Sequence, residues 1–79
     1  FNAFAEMARA ERLDAVIHLG DYIYEYGDTG YGTDIGKRLG RLPDPSHETV
    51  TLADYRRRHA QVKADPDMQA AHARAAFIC

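Results

Sequence analysis

The most constraining stretch of this chain is a short aliphatic run, Ala15-Val16-Ile17, that leads into His18-Leu19-Gly20-Asp21 and stops there. An apolar run without polar alternation reads as a strand covered on both faces, the pattern of a parallel sheet. In open α/β sheets ligands bind beyond the carboxyl ends of such strands. Gly20 lets the backbone bend at that end, and Asp21 is carried onto the first turn beyond it. Tyr24, three residues on, returns to the same locus if the loop coils. A carboxylate and a phenol converging on one point are hard oxygen donors suited to a Lewis-acidic cation.

The rest of the chain reads as support for that end. Phe1, Phe4, Met7, Ala8 and Leu13 fall near helical spacing, so residues 2–12 are expected to form an amphipathic helix with Glu6, Arg9 and Arg12 on its solvated side. The first strand is expected over residues 15–19. Residues 25–50 show little periodicity and much Gly, Pro, Asp and Thr, an irregular excursion of the length that usually walls or lids a site. Lys37, Arg38 and Arg41 lie in it, either to meet a phosphate or as a solvated basic stretch. Pro43 and Pro45 stiffen its exit.

Thr51-Leu52-Ala53-Asp54 has capping-box form and opens a helix over residues 52–64, with Leu52, Tyr55, His59 and Val62 sharing one side. Arg56, Arg57 and Arg58 span most of a turn and cannot all face one partner, which argues against a nucleic-acid role. Asp65-Pro66 pairs an N-cap with Pro at the first helical position. The helix that follows, to residue 74, has Met68, Ala71, His72 and Ala75 as its inner stripe. Residues 76–79 are expected to form a second strand, parallel to the first through a right-handed crossover, with Cys79 as a small core residue. The fold class is therefore α/β.

Seventy-nine residues with a formal charge of −2 bound the possibilities. The chain is one small domain at most, with no general electrostatic reason to seek nucleic acid or an anionic membrane. No apolar run approaches the roughly 20 residues of a membrane span. A single Cys excludes an intrachain disulfide framework. The chain begins on Phe1 and closes on the apolar run 76–79, which reads as an internal fragment of a larger enzyme; an export signal is not expected in such a piece.

Gly20-Asp21-Tyr22-Ile23-Tyr24 resembles the second metal-binding motif of the calcineurin-like metallophosphoesterases, in the variant where a Tyr follows the Asp. The longer string from His18 to Gly27 is similar to the PhoD-like alkaline phosphatases, as are Phe1-Asn2-Ala3-Phe4, Thr51-Leu52-Ala53-Asp54-Tyr55-Arg56 and Gln69-Ala70-Ala71-His72-Ala73. The resemblance covers nearly the whole chain. It implies a layered α/β sandwich, hydrolysis of phosphate mono- or diesters, a two-metal centre of Fe³⁺ with Ca²⁺, and a secreted or periplasmic location. It assigns Asp21 as bridging metal ligand and Tyr24 as phenolate ligand. The family's first metal motif lies upstream of Phe1, and its Trp-Asp-Asp-His-Glu-like motif and later His ligands lie beyond Cys79. The chain thus carries part of a centre and is expected to be inactive by itself.

Plainer roles stand beside these. Asp21 could cap a loop. Tyr24 could be a packing residue, with Tyr22 and Tyr26 as rivals, since an extended segment puts all three on one face. His18 reads as a hydrogen-bonded structural residue or a support to a ligand, His47 as a solvated loop residue, and His59 and His72 as packing residues. Glu25 either supports the site or faces water. Cys79 has no base to activate it as a nucleophile. Two other functions fit the scaffold. A purple-acid-phosphatase-like enzyme shares the Gly-Asp-x-x-Tyr motif, although residues 51–56 and 69–73 argue against it. A non-catalytic α/β binding module is the other.

Overall fold

The computed structural model describes residues 2–30 and 32–79, so Phe1, assigned above to the first helix, lies outside the described residues. Six elements follow in order: α1 (Asn2–Arg9), β1 (Ala15–Ile17), α2 (Thr33–Leu39), α3 (Leu52–Lys63), α4 (Pro66–Arg74) and β2 (Ala76–Ile78). The chain divides into two compact units, Phe1–Tyr22 with Val62–Cys79, and Ile23–Gln61.

In the first unit β1 and β2 pair in parallel, with Ala15 opposite Ala76 and Ile17 opposite Ile78. The mixed α/β class and the parallel pairing are as expected. β1 is shorter than the expected 15–19, ending at Ile17. The last ladder bond runs from the His18 N–H to the Ile78 carbonyl (2.8 Å), and Leu19 is 96% exposed. α4 packs against α1 and β2. Its stripe forms as expected: Met68 and Ala71 are buried at 1% and 0% exposure and make the core with Val16, while His72 and Ala75 are half-buried. The Asp65 side chain accepts from the N–H groups of Asp67 and Met68, with Pro66 beginning the helix.

α1 ends at Arg9 rather than at residue 12. The carbonyls beyond its end, those of Ala10 and Glu11, are taken up by the Arg74 guanidinium (Nη2 at 2.7 and 2.6 Å). Arg74 so ties down the segment that follows the helix. Cys79 is exposed and lies outside β2, not in a strand core.

The second unit corrects the picture of an unbroken irregular excursion. α2 forms inside it, closed by Gly40 in the left-handed conformation (φ 64°), whose N–H returns to the Gly36 and Lys37 carbonyls. Glycine is the residue that enters this conformation without steric cost. Lys37 and Arg38 fall in the last turn of α2, where positive charge is favoured by the helix dipole, and both are exposed. The Asp44–Pro45 peptide is cis.

The capping box of α3 forms as expected. The Asp54 carboxylate accepts from the Thr51 N–H and hydroxyl, and the Asp54 N–H donates to the Thr51 hydroxyl. Its covered face is another matter. Of the expected stripe, Tyr55 and Val62 are half-buried but Leu52 and His59 are exposed, whereas Asp54 and Gln61 are half-buried and Arg58 is buried at only 4% exposure. That face lies over backbone carbonyls rather than over an apolar core. Gln61 shows the same pattern, donating to the Leu42 carbonyl (2.6 Å) and accepting from the Asp44 N–H (2.8 Å).

Candidate functional site

Asp21 belongs to the first unit, four residues beyond the end of β1. Gly20 and Asp21 are consecutive residues of positive φ, 125° and 57°. Asp is one of the few residues with a side chain that enters the left-handed region readily. The result is a sharp turn at the strand's carboxyl end that leaves Asp21 exposed. Its carboxylate accepts no hydrogen bond among the described residues, so a loop-capping role has no visible partner.

Around this end the ring side chains form one cluster. His18 stacks on Phe4 (6.4 Å between centroids) and meets Tyr22 edge-on at 5.1 Å. Its Nδ1 is buried without a hydrogen-bond partner among the described residues, and its ring packs against Phe4 and Tyr22. The Tyr22 hydroxyl lies 2.9 Å from His72 Nε2, and His72 in turn stacks on Phe77 at 3.8 Å. Burial, and then the charge of Lys63, holds the His72 imidazole below its ordinary pKa. Burial, with the negative charge of Cys79, raises that of the Tyr22 phenol. A neutral imidazole accepting from a protonated phenol is the arrangement both shifts favour. Tyr22 is thereby occupied in structure.

Tyr24 belongs to the second unit and is 53% exposed, with its ring stacked on that of Tyr26 at 6.1 Å. That pairing is the period-2 relation expected of an extended run. The backbone beneath is fixed carbonyl by carbonyl. Those of Tyr24 and Tyr26 accept from Arg58 Nη1, and that of Glu25 accepts from the Thr49 N–H (2.9 Å). The Glu25 side chain itself is exposed. His47, also exposed, touches its neighbours, with Nδ1 at 2.8 Å from the Glu48 carbonyl and Nε2 at 3.7 Å from the Asp54 carboxylate. An open depression in this unit is lined by Tyr26, Gly27, Asp28, Ser46, His47 and Glu48 among others.

Arg58 is the residue that sequence reasoning passed over. Asp54, Arg58 and Gln61 do fall at helical spacing, but their polarity made them look like an outer face. The three arginines do diverge as expected: Arg58 is buried, Arg57 pairs with the Asp44 carboxylate, and Arg56 is exposed.

Among the described residues no three His, Cys, Asp or Glu side chains stand close enough to hold a metal ion together. The Asp21 carboxylate and the Tyr24 phenol are each exposed, and each is a hard oxygen donor of the kind a Lewis-acidic cation takes. No helix among these residues is long and apolar enough to cross a membrane.

A strand ending in a sharp Gly-Asp turn, with a tyrosine three residues on, is matched in known proteins over its full context. The family model for PhoD-like phosphatases covers residues 1–79, and the chain belongs to that family. It is similar to alkaline phosphatase D of Bacillus subtilis (strain 168), 48% identical over 73 residues, which take in 92% of this chain and 12% of that protein. The chain thus spans a small part of the length of the curated relative it matches. No solved structure matches it.

Proposed function

We propose that this chain supplies two ligands to a two-metal centre for the hydrolysis of phosphate mono- or diesters, Asp21 bridging the ions and Tyr24 binding one of them. The observation that carries this is the exposed Asp21 carboxylate on its left-handed turn at the end of β1, in a chain that belongs to the PhoD-like phosphatases. Bound Fe³⁺ and Ca²⁺ would polarise the phosphoryl oxygens and make hydroxide available near neutral pH. A bridging role suits Asp21 because a carboxylate has two oxygens to offer.

Tyr24 is the better phenol than Tyr22, whose hydroxyl is engaged with His72. An ordinary phenol ionises only at a pH of about 10, so a phenolate at neutral pH calls for a strongly acidic cation, which favours Fe³⁺ over a divalent ion at this position. Family resemblance also points to a secreted or periplasmic location. By itself the 79-residue chain is expected to leave p-nitrophenyl phosphate intact, because two ligands do not complete the centre.

The test uses the whole gene product loaded with Fe³⁺ and Ca²⁺. It should show a visible tyrosinate-to-iron absorption band and hydrolyse p-nitrophenyl phosphate or its bis-ester. Tyr24→Phe should lose the band, and Asp21→Asn should lose bound metal and activity together. Full metal content in Asp21→Asn would sink the assignment. Intact folding without hydrolysis of either ester would favour the non-catalytic module instead.

A further inference from the structure

Arg58 lies on α3 with its guanidinium almost fully withdrawn from solvent, and its hydrogen-bond partners among the described residues are all backbone carbonyls. Nη1 donates to the carbonyls of Tyr24 and Tyr26, the latter at 2.9 Å. Nη2 donates to those of Pro45 (2.7 Å) and His47 (3.4 Å), and Nε to that of Asp44 (3.2 Å). Two stretches of the second unit, 24–26 and 44–47, therefore meet on one cation. Carbonyl oxygens turned toward a common point repel one another, and in a buried position each would be left without a donor. A planar fork with five N–H groups meets them at once, which the point charge of a Lys does not do.

The two carbonyls held by Nη1 are two residues apart, and the one between them points to the Thr49 N–H. That alternation is an extended run locked on both sides, and it fixes where the Tyr24 side chain leaves the backbone. We infer that Arg58 is the positioning residue for Tyr24: it sets the phenol's orientation for the cation by clamping the main chain on either side of Glu25. This rests on the reading of Tyr24 as a metal ligand. Arg58 touches neither metal nor substrate in this role. Loss of such a supporting contact typically weakens metal binding by about 10- to 100-fold.

The experiment compares wild type, Arg58→Lys and Tyr24→Phe in the whole gene product, reading bound iron, the tyrosinate-to-iron band and amide hydrogen exchange. Arg58→Lys should stay folded by circular dichroism, exchange faster at the Thr49 and Asp28 amides, and bind iron about 10- to 100-fold more weakly with a weakened band. If Tyr24→Phe loses the band while Arg58→Lys keeps wild-type iron affinity and exchange, the positioning role is overturned and the ligand assignment stands. If Tyr24→Phe binds iron like wild type, the ligand assignment fails, and the positioning role for it fails with it. Should Arg58→Lys not fold, wild-type exchange decides. The Thr49 and Asp28 amides should open together with the α3 amides around residue 58, whereas independent, faster opening of the loop amides overturns the clamp.

Discussion

The Tyr22 hydroxyl lies 2.9 Å from Nε2 of His72, 50 residues away in the chain, and the bond closes the first unit across its ring cluster. The two pKa shifts give it limits on both sides. His72 titrates below its ordinary value in the folded chain, so its contribution is present above pH of about 6.5 and is lost as pH falls through the folded value. Tyr22 titrates above its ordinary value, so its contribution is present below pH of about 10 and is lost as pH rises through the folded value. A proton NMR titration should give His72 a midpoint below the ordinary histidine value. Tyr22→Phe, which removes the hydroxyl facing Nε2, should move that midpoint upward.

Met68 should be the most sensitive apolar position. It is the largest fully buried side chain, and Met68→Ala leaves a hole in the core of the first unit. A loss of about 2–5 kcal/mol is expected, read as a lower urea midpoint at unchanged slope. A loss below the range of a surface substitution would mean that this core is not the one that holds the unit.

Gly27 should resist any side chain. A Cβ there would sit 2.7 Å from the Ser46 carbonyl oxygen, the same oxygen that accepts from the Asp28 N–H at 2.7 Å. Backbone must move for Gly27→Ala to fit. The expected cost is about 1–3 kcal/mol, with faster protease cleavage within residues 24–30 and 44–49 than in wild type. Unchanged cleavage would place the flexibility elsewhere.

Asp21 offers a way to separate folding from function. Holding a non-glycine residue at φ 57° costs about 1 kcal/mol, a cost that Asp21→Gly relieves at the expense of chain entropy. Stability should therefore stay within about 1 kcal/mol of wild type while bound metal is lost. A stability drop well beyond that range would instead mark Asp21 as a structural cap.

Much of the first unit was legible because its elements obey local rules. Asp65-Pro66 starts α4 where capping chemistry says it should, Met68 and Ala71 are the core that their spacing implies, and 76–78 pairs in parallel with 15–17. What was missed depends on contacts distant in sequence. The segment after α1 is held by Arg74, 64 residues on from Ala10, and no local signal at residues 10–12 announces it. The α2 helix is short, and its brackets of glycine read equally as loop. α3 misled most: apolar spacing named Leu52, Tyr55, His59 and Val62 as one side, of which Tyr55 and Val62 are half-buried and Leu52 and His59 exposed, while the buried residue is the polar Arg58, which meets carbonyls. At the candidate site the string of residues pointed to Asp21 and Tyr24, while the device that holds Tyr24's backbone could not be seen without the fold.

Because Arg58 grips only main-chain oxygens, its hold on the loop does not depend on the side chains at the gripped positions. Positions 24, 26, 44 and 47 all present the same carbonyl to the clamp whichever residue they carry. These positions can thus exchange side chains without loosening the clamp, and the burden of gathering their carbonyls rests on one residue of α3.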